Sequence, residues 1–179
     1  MAKKPSSLDA IKALREKTSA SLNDIREALA AADGDEAKAL TLLRQRGLAI
    51  AEQRQGRSTG QGRVEAYVHH DGRLGALVEV NCETDFVART PEFQQFCRDV
   101  AMHVAAMGPR YLRPEDAPGG DASGAEEHKA HALLSQPFVK DQGTTVQDLL
   151  KALIAKTGEN IVVRRFAKFG VGDAPSAAL

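Results

Sequence analysis

The chain has 179 residues, and its 24 basic and 24 acidic side chains give a formal net charge of zero at pH 7. This balance excludes a global basic field that attracts nucleic acid by counter-ion release, so no direct nucleic-acid partner is expected. No apolar run reaches membrane-spanning length, and the charged residues 1–7 have no apolar stretch behind them, so neither a membrane segment nor a signal peptide is predicted. Cys82 and Cys97 form no CxxC pair, which favours a reducing, cytoplasmic location.

Residues 1–56 are predicted to form three short amphipathic helices. Their apolar faces recur at helical spacing, with Leu8, Ile11 and Leu14 in the first, Leu22, Ile25 and Leu29 in the second, and Ala37, Leu40 and Leu43 in the third. Such short helices cannot bury these faces separately, so we expect them to pack together as one module. Their layout resembles the ubiquitin-associated (UBA) type of domain, whose members bind protein partners through a helix connector and a flanking helix.

Capping residues predict where these helices begin. A serine in residues 5–7 can cap the first helix, and Asp35 can cap the third. Ser21 and Asp24 have the spacing of a capping box for the second helix, with the shorter aspartate in place of glutamate.

Glycines and polar residues predict where the helices end. The first helix is expected to stop in the connector 18–21, the second at Gly34 and the third at Gly47. Residues 48–62 are rich in Gly, Gln and Arg and predict a frayed helix that runs into a linker.

The period of apolar residues changes to two after Gly62, which predicts strands. Val64, Ala66 and Val68 alternate with polar or aromatic residues, as in a half-buried strand over 64–70. Residues 70–73 contain the Asp-Gly signal of a tight hairpin turn, and 74–80 form an apolar return strand. Residues 161–169 are rich in β-branched and aromatic residues and predict a third strand beside the hairpin.

Helices are expected on one side of this sheet. Thr90-Pro91-Glu92 has a cap, a proline at the first position and an acid in the first turn, and it begins a helix that ends at Gly108. A short helix is predicted over 126–134, and Thr145 caps a last helix that stops at Gly158.

The remaining residues of this region predict loop or disorder. Residues 113–125 are rich in Pro and Gly and read as an exposed loop without regular structure, and the tail after about residue 170 is expected to be disordered. The fold class is therefore α+β, with a three-helix, UBA-like module (1–56) followed by a core (57–179) whose three-stranded antiparallel sheet is packed by helices.

Catalysis has no strong candidate in the sequence. Cys82 with His69 or His70 suggests a thiol nucleophile, but nothing places a third orienting group, and a structural cysteine is favoured. Adjacent histidines on a strand point to opposite faces, which argues against a metal site there. His103 has the position of a core histidine. We therefore expect no enzyme, no cofactor and no bound metal.

Residues 81–89 connect the return strand to the helix that starts at Pro91, and they admit two interpretations. In the structural one, Thr84 caps a short helical turn, Asp85 complements its dipole, and Phe86 folds back into the core. In the functional one, an exposed connection displays a carboxylate and a phenyl ring to a partner.

Several strings in order resemble one family. Leu14-Arg-Glu-Lys-Thr18, the hallmark-like segment Glu79-Val-Asn-Cys-Glu-Thr-Asp-Phe-Val-Ala-Arg89, Ala101-Met-His-Val-Ala105 and Gln136-Pro-Phe-Val139 are similar to segments of the elongation factor Ts family. Gly158-Glu-Asn-Ile161 is similar to a further segment, and the resemblance covers roughly residues 6–112 and 136–170.

The resemblance implies a guanine-nucleotide exchange factor for the GTPase elongation factor Tu, in its GDP-bound and nucleotide-free forms. In the family, the Thr-Asp-Phe-Val segment disturbs the magnesium and phosphate contacts of the GTPase, and the helical module grips the GTPase domain. The matching residues here are Thr84, Asp85, Phe86 and Val87 for the first role, and Arg15, Leu22 and Asn23 for the second; His70 is a further partner-binding candidate.

The sequence departs from the family pattern in three places. Ser19, Ser21, Leu22 and Asn23 replace the usual glycines and paired methionines of the first connector, and the long middle helical segment is shortened to residues 113–135. Larger members carry a second copy of the core, whereas this chain has one, so a homodimer is expected to supply the second copy. The alternative function is a passive adaptor that holds a ubiquitin-like or nascent-chain partner through the helical module.

Overall fold

The computed structural model describes residues 8–18, 20–118 and 124–173, except for the side chain of Leu48. The serine cap predicted at residues 5–7 and most of the tail predicted to be disordered lie outside the described residues. The chain divides into two compact units. One comprises the residues up to Arg57 together with Lys151–Asn160, and the other comprises Ser58–Leu150 and the residues from Ile161 onward.

The first unit contains the three predicted helices, α1 (Leu8–Thr18), α2 (Leu22–Ala31) and α3 (Glu36–Arg54). The predicted caps of α2 and α3 are confirmed: the Ser21 hydroxyl accepts the Asp24 N–H at 3.1 Å, and the Asp35 carboxylate accepts the Ala37 N–H at 2.9 Å. Apolar side chains from all three helices meet in one core, formed mainly by Ala10, Ile11, Leu14, Ile25, Ala28, Leu29, Ala39 and Leu43. The helices therefore pack as predicted, while the likeness to a UBA domain stays a prediction.

The prediction that Gly47 ends the third helix is wrong. α3 continues through this glycine to Arg54 because residues 48–53 are mostly good helix formers. A Cβ at Gly47 would lie 3.4 Å from the Cβ of Ala155, so the glycine serves close packing within the first unit. The glycine that follows the helix end with a left-handed backbone is Gly56, whose φ is 86°. Gly34 has the same role after α2, as predicted, with φ 84°.

The second unit contains the sheet and the remaining elements: β1 (Gln61–Val68), β2 (Leu74–Cys82), α4 (Asp85–Ala88), α5 (Pro91–Met107), α6 (Ala125–His131), β3 (Pro137–Phe138), β4 (Asp141–Thr145), the start of α7 (Val146–Thr157), and β5 (Ile161–Gly170). The main sheet is antiparallel with the order β1-β2-β5, so β2 is the central strand. The predicted α+β class and three-stranded sheet are confirmed. The first strand ends at Val68, however, and His69 and His70 lie in the turn instead of the strand.

The β1 valines lie on the exposed face of the sheet, although their alternation is typical of residues that face a core. Val64 and Val68 are 64% and 68% exposed, while the intervening Glu65 and Tyr67 are half-buried. The central strand decides this arrangement, because its buried residues Ala76, Val78, Val80 and Cys82 all lie on one face, and Glu65 and Tyr67 pair across from that set. The opposite face keeps the exposed apolar residues of β1 and is called the open face below.

Helix α5 packs across the buried face of the sheet. Thr90 caps it by accepting the Phe93 N–H at 3.3 Å, Pro91 occupies its first position, and Gly108 ends it with φ 59°, as the sequence predicts. Its buried side chains include Phe93, Phe96, Cys97, Val100 and Val104. Helix α5 therefore anchors the C-terminal end of the segment that connects β2 to α5.

His103 of α5 is fully buried and hydrogen-bonded on both ring nitrogens. Its Nε2 lies 3.0 Å from Gln136 Oε1, and its Nδ1 accepts the Val139 N–H at 3.2 Å. Because Nδ1 accepts a hydrogen bond, it carries no proton, so the ring is neutral with its proton on Nε2. Burial lowers the pKa of His103, which keeps the ring in this form. The prediction of a core histidine is therefore confirmed.

Two features of residues 113–145 were not predicted. Pro114–Asp116 form a 3-10 turn, in which the Asp116 carboxylate accepts the Arg113 N–H at 3.0 Å, so the prediction that residues 113–125 lack regular structure is wrong for this part. β3 and β4 form a small two-stranded sheet. β4 is short and polar, and it gives no period-two apolar signal.

Neither a membrane-spanning helix nor a group of metal ligands is found in the described ranges. No helix among them has the length and apolar character needed to cross a membrane. Within the same ranges, no group of three or more His, Cys, Asp or Glu side chains is placed to hold a metal ion.

Candidate functional site

The candidate site is the single helical turn that follows β2, here called the 84–87 turn. Thr84 is its N-cap and accepts the Val87 N–H at 3.3 Å through its hydroxyl oxygen. The helix itself, α4, has four residues. An isolated helix of this length is unstable, because the entropy cost of nucleating it exceeds the stabilisation from one turn of hydrogen bonds. Its neighbours in the chain must therefore hold it.

Phe86 projects from this turn and is 78% exposed. The structural interpretation placed this ring in the core, and that prediction is wrong. Its other part is confirmed, since Thr84 does cap the turn and Asp85 occupies the first helical position, where a carboxylate complements the helix dipole. The exposed ring leaves most of its apolar area available for a contact with another molecule.

Asp85 is paired with a basic side chain on its own turn. The Arg89 Nη2 lies 2.9 Å from Asp85 Oδ2, at the i,i+4 spacing that brings two helical side chains together. Both groups remain accessible, with 45% of the Asp85 and 77% of the Arg89 side chain exposed. A carboxylate, a guanidinium and a phenyl ring are thus presented together on one short segment.

Side chains on both flanks support the turn. On the β2 side, the buried Cys82 thiol donates to the Thr84 carbonyl at 3.1 Å. On the α5 side, the Thr90 hydroxyl donates to the Val87 carbonyl at 2.8 Å, and Gln94 donates to the Arg89 carbonyl at 3.3 Å. Thr90 also caps α5, so one hydroxyl joins the end of the turn to the start of the helix beneath the sheet.

Gly62 pairs with Asn81 near the end of β2, and the sequence pattern marked it only as the point where the apolar period changes. Its φ is +151°, and a Cβ there would lie 2.3 Å from the Val80 carbonyl oxygen and 2.7 Å from the Asn81 Cα. No side chain fits at this distance, so glycine is required for β1 to pair with the strand that leads into the 84–87 turn. A glycine at the start of a predicted strand is the signal that could have revealed it.

The predicted contact residues of the helical module lie at the surface of the first unit. Arg15 is in the last turn of α1, and Leu22 and Asn23 are the first two residues of α2. All three side chains are exposed, and Leu22 is 43% exposed although it belongs to the apolar face in the sequence pattern. The structure places them around the α1–α2 connector, of which Ser19 is outside the described residues.

His70, the remaining predicted contact, is exposed in the β1–β2 turn. Its ring lies 4.2 Å from that of His69, centroid to centroid, and His69 Nδ1 is 3.0 Å from the Tyr67 hydroxyl. Its role in binding stays a prediction.

The cysteines have the environment of structural thiols. Cys82 and Cys97 are both fully buried. Burial, with a smaller effect of Glu65, raises the pKa of the Cys97 thiol to about 12, so it is not ionised near neutral pH. The geometry gives no support to a thiol nucleophile at Cys82, whose proton is used to hold the Thr84 carbonyl.

The fold and this site define an α+β protein with a three-helix module and a supported, exposed turn on its sheet domain. The family model for elongation factor Ts matches residues 1–126. Elongation factor Ts of Rubrobacter xylanophilus is 45% identical over 189 residues, covering 90% of this chain and 97% of the relative. The Carboxydothermus hydrogenoformans protein is 45% identical, covering 91% and 88%, and the Caldanaerobacter subterraneus protein is 43% identical, covering 93% and 97%. The chain belongs to the elongation factor Ts family and is a translation elongation factor.

Proposed function

We propose that this protein is a guanine-nucleotide exchange factor for elongation factor Tu and acts in the cytoplasm. It binds the GDP-bound GTPase, promotes release of GDP and holds the nucleotide-free form. The observation that carries this proposal is the exposure of Phe86 on a turn whose residues, Thr84 to Val87, resemble the hallmark segment of the family. The family assignment does not favour the alternative of a passive adaptor.

The exchange step follows from differential binding. A factor that binds the empty GTPase more tightly than the loaded one lowers the affinity of the GTPase for nucleotide by the same factor. The Phe86 ring supplies apolar area that is buried in the open form of the partner. Asp85 competes for the polar groups that hold the metal and the phosphates. Arg15, Leu22, Asn23 and His70 supply docking contacts that do not change during the step.

The direct test is release of fluorescent GDP from elongation factor Tu, followed by stopped flow with increasing concentrations of this protein. We expect the release rate to rise and then to saturate. No acceleration at any concentration, with binding shown separately, would support a passive adaptor instead.

We further propose a homodimer that uses the open face of the sheet. Exposed apolar side chains cover this face, including Val64, Val68, Leu77 and Phe169, which are 44–68% exposed. Ala66, Val68, Leu77 and Phe169 line a depression of about 360 Å³ on it. The Arg165 guanidinium donates to Glu79 at 2.6 Å on the same face, and this bond holds the pKa of Glu79 below its usual range. A second copy would cover these apolar groups and supply the second core that larger family members carry in one chain.

The dimer is tested by light scattering over a range of micromolar concentrations. Leu77→Lys places a charge in the middle of the open face and is expected to shift the protein to a monomer. Met107→Lys is the matched control, because Met107 is also exposed (47%) but lies on the helix that packs against the other face. A wild-type protein that stays monomeric at high micromolar concentration, with exchange intact, would contradict the proposal.

A further inference from the structure

We propose that Arg89 is a positioning residue for the exchange step and acts through the Asp85 carboxylate. The inference rests on the proposed function, because it gives Arg89 a role at the same turn. Within the segment 79–89, the predicted partner contacts are residues 84–87, and Arg89 is not among them.

Arg89 holds the turn with both its backbone and its side chain. Its N–H donates to the Asp85 carbonyl at 3.2 Å and to the Phe86 carbonyl at 3.3 Å, which closes α4. Its guanidinium lies 2.9 Å from the Asp85 carboxylate. Since substitution of the side chain leaves the backbone hydrogen bonds available, the effect of the ion pair can be separated from the formation of the turn.

The ion pair matters for orientation more than for stability. Exposed pairs of this kind add little to folding, because water screens them and ordering two long side chains costs entropy. A carboxylate that is 45% exposed on a single turn would otherwise sample several rotamers. The guanidinium restricts these rotamers, so a larger fraction of the free protein has Asp85 in the orientation needed at the nucleotide site.

The pair also adjusts the charge that approaches the partner. Under the proposed function, Asp85 moves toward a site that contains phosphate groups, which repel an isolated carboxylate. Paired with Arg89, the Asp85 carboxylate approaches as part of a nearly neutral group. Both effects act on the exchange step after docking, whereas the docking contacts of the helical module are made elsewhere.

A direct contact between Arg89 and the partner is the competing explanation, and a double-mutant cycle separates the two. The variants are Arg89→Gln, Asp85→Asn and the combination. If Arg89 acts through Asp85, its substitution has no further effect once the carboxylate is gone, so the effects are not additive. A direct contact predicts additive effects.

The readouts are the maximal rate of GDP release at saturating protein and the protein concentration that gives half of it. We expect Arg89→Gln to lower the maximal rate about two- to fivefold, in keeping with the modest strength of an exposed pair. The half-saturating concentration should stay within about twofold of wild type, as expected when ground-state binding is kept. Arg89→Lys, which keeps the charge, should recover most of the rate. Arg98→Gln is the control, since Arg98 is another exposed arginine of the same unit, which bonds only to Gln95 among the contacts described.

Each outcome decides the inference. A wild-type rate for Arg89→Gln, additive effects in the cycle, or an equal loss in Arg98→Gln would overturn it while the exchange activity of the wild-type protein stands. If the wild-type protein itself does not accelerate release, the proposed function fails instead. Urea unfolding should give all variants the same unfolding midpoint as wild type, as expected for surface substitutions.

Discussion

Removal of the Phe86 ring is the sharpest test of the proposed exchange mechanism. A phenylalanine side chain has about 150–250 Å² of surface to bury. Because Phe86 is 78% exposed in the free protein, most of this area is still available for a contact with the partner. About 150 Å² at 25 cal/mol per Å² gives an upper limit of roughly 4 kcal/mol.

The measurable effect of Phe86→Ala should be smaller than this limit. Part of the ring keeps contact with water, and part of the contact is shared with the nucleotide-bound form of the partner. We therefore expect a loss of about 1.5–3 kcal/mol, which slows GDP release roughly tenfold to a hundredfold. Complete displacement of nucleotide requires about 5.5 kcal/mol of differential binding, so the ring would supply a large share of it.

The assay is stopped-flow release of fluorescent GDP, with complex formation measured separately. Docking should largely survive, because the module with Arg15, Leu22 and Asn23 is untouched by Phe86→Ala. Met107→Ala is the matched control, since it removes another exposed apolar side chain and should leave exchange unchanged. Release at the parental rate in Phe86→Ala would refute the functional role of the ring.

Three further predictions follow from particular contacts. Asp85→Ala should slow exchange less than loss of the ring, as measured in the same stopped-flow assay. Gly62→Ala should lower the free energy of unfolding in urea by about 2–3 kcal/mol, because its Cβ would meet the β2 backbone, whereas Gly60→Ala, with open space around it, should be nearly neutral. His103 is neutral in the folded protein, and in the unfolded chain it takes up a proton below about pH 6.5. The contribution of His103 to stability should therefore be fully present above that pH and be lost as the pH falls through its lower native pKa. A stability profile that is flat down to pH 5 would contradict this prediction.

Local signals in the sequence were enough for most of the element ends. Ser21, Asp35, Thr90 and Thr145 cap helices in the structure where the pattern places caps, because capping depends on residues close in the chain. The Asp-Gly turn likewise fixes the β1–β2 hairpin from local chemistry. Gly47 shows the limit of such signals, since a glycine inside a helix and one after its end look alike in a sequence.

The sheet faces were not available from the sequence of β1 alone. Its valines alternate as on a core face, yet they lie on the open face because the register with β2 places Glu65 and Tyr67 against α5. Register is a property of two strands and the helix that covers them, and a shift of one residue reverses every side chain.

For the candidate site too, the sequence determined some features and the tertiary structure determined others. The sequence by itself determined the segment: the order Thr84-Asp-Phe-Val87, its cap and its place between a strand and a helix are all local. Only the tertiary structure decided that Phe86 is exposed instead of buried, because that depends on β2 and α5 filling the core with their own side chains. The packed strand and helix hold the ends of the turn, and this support leaves its ring and carboxylate at the surface.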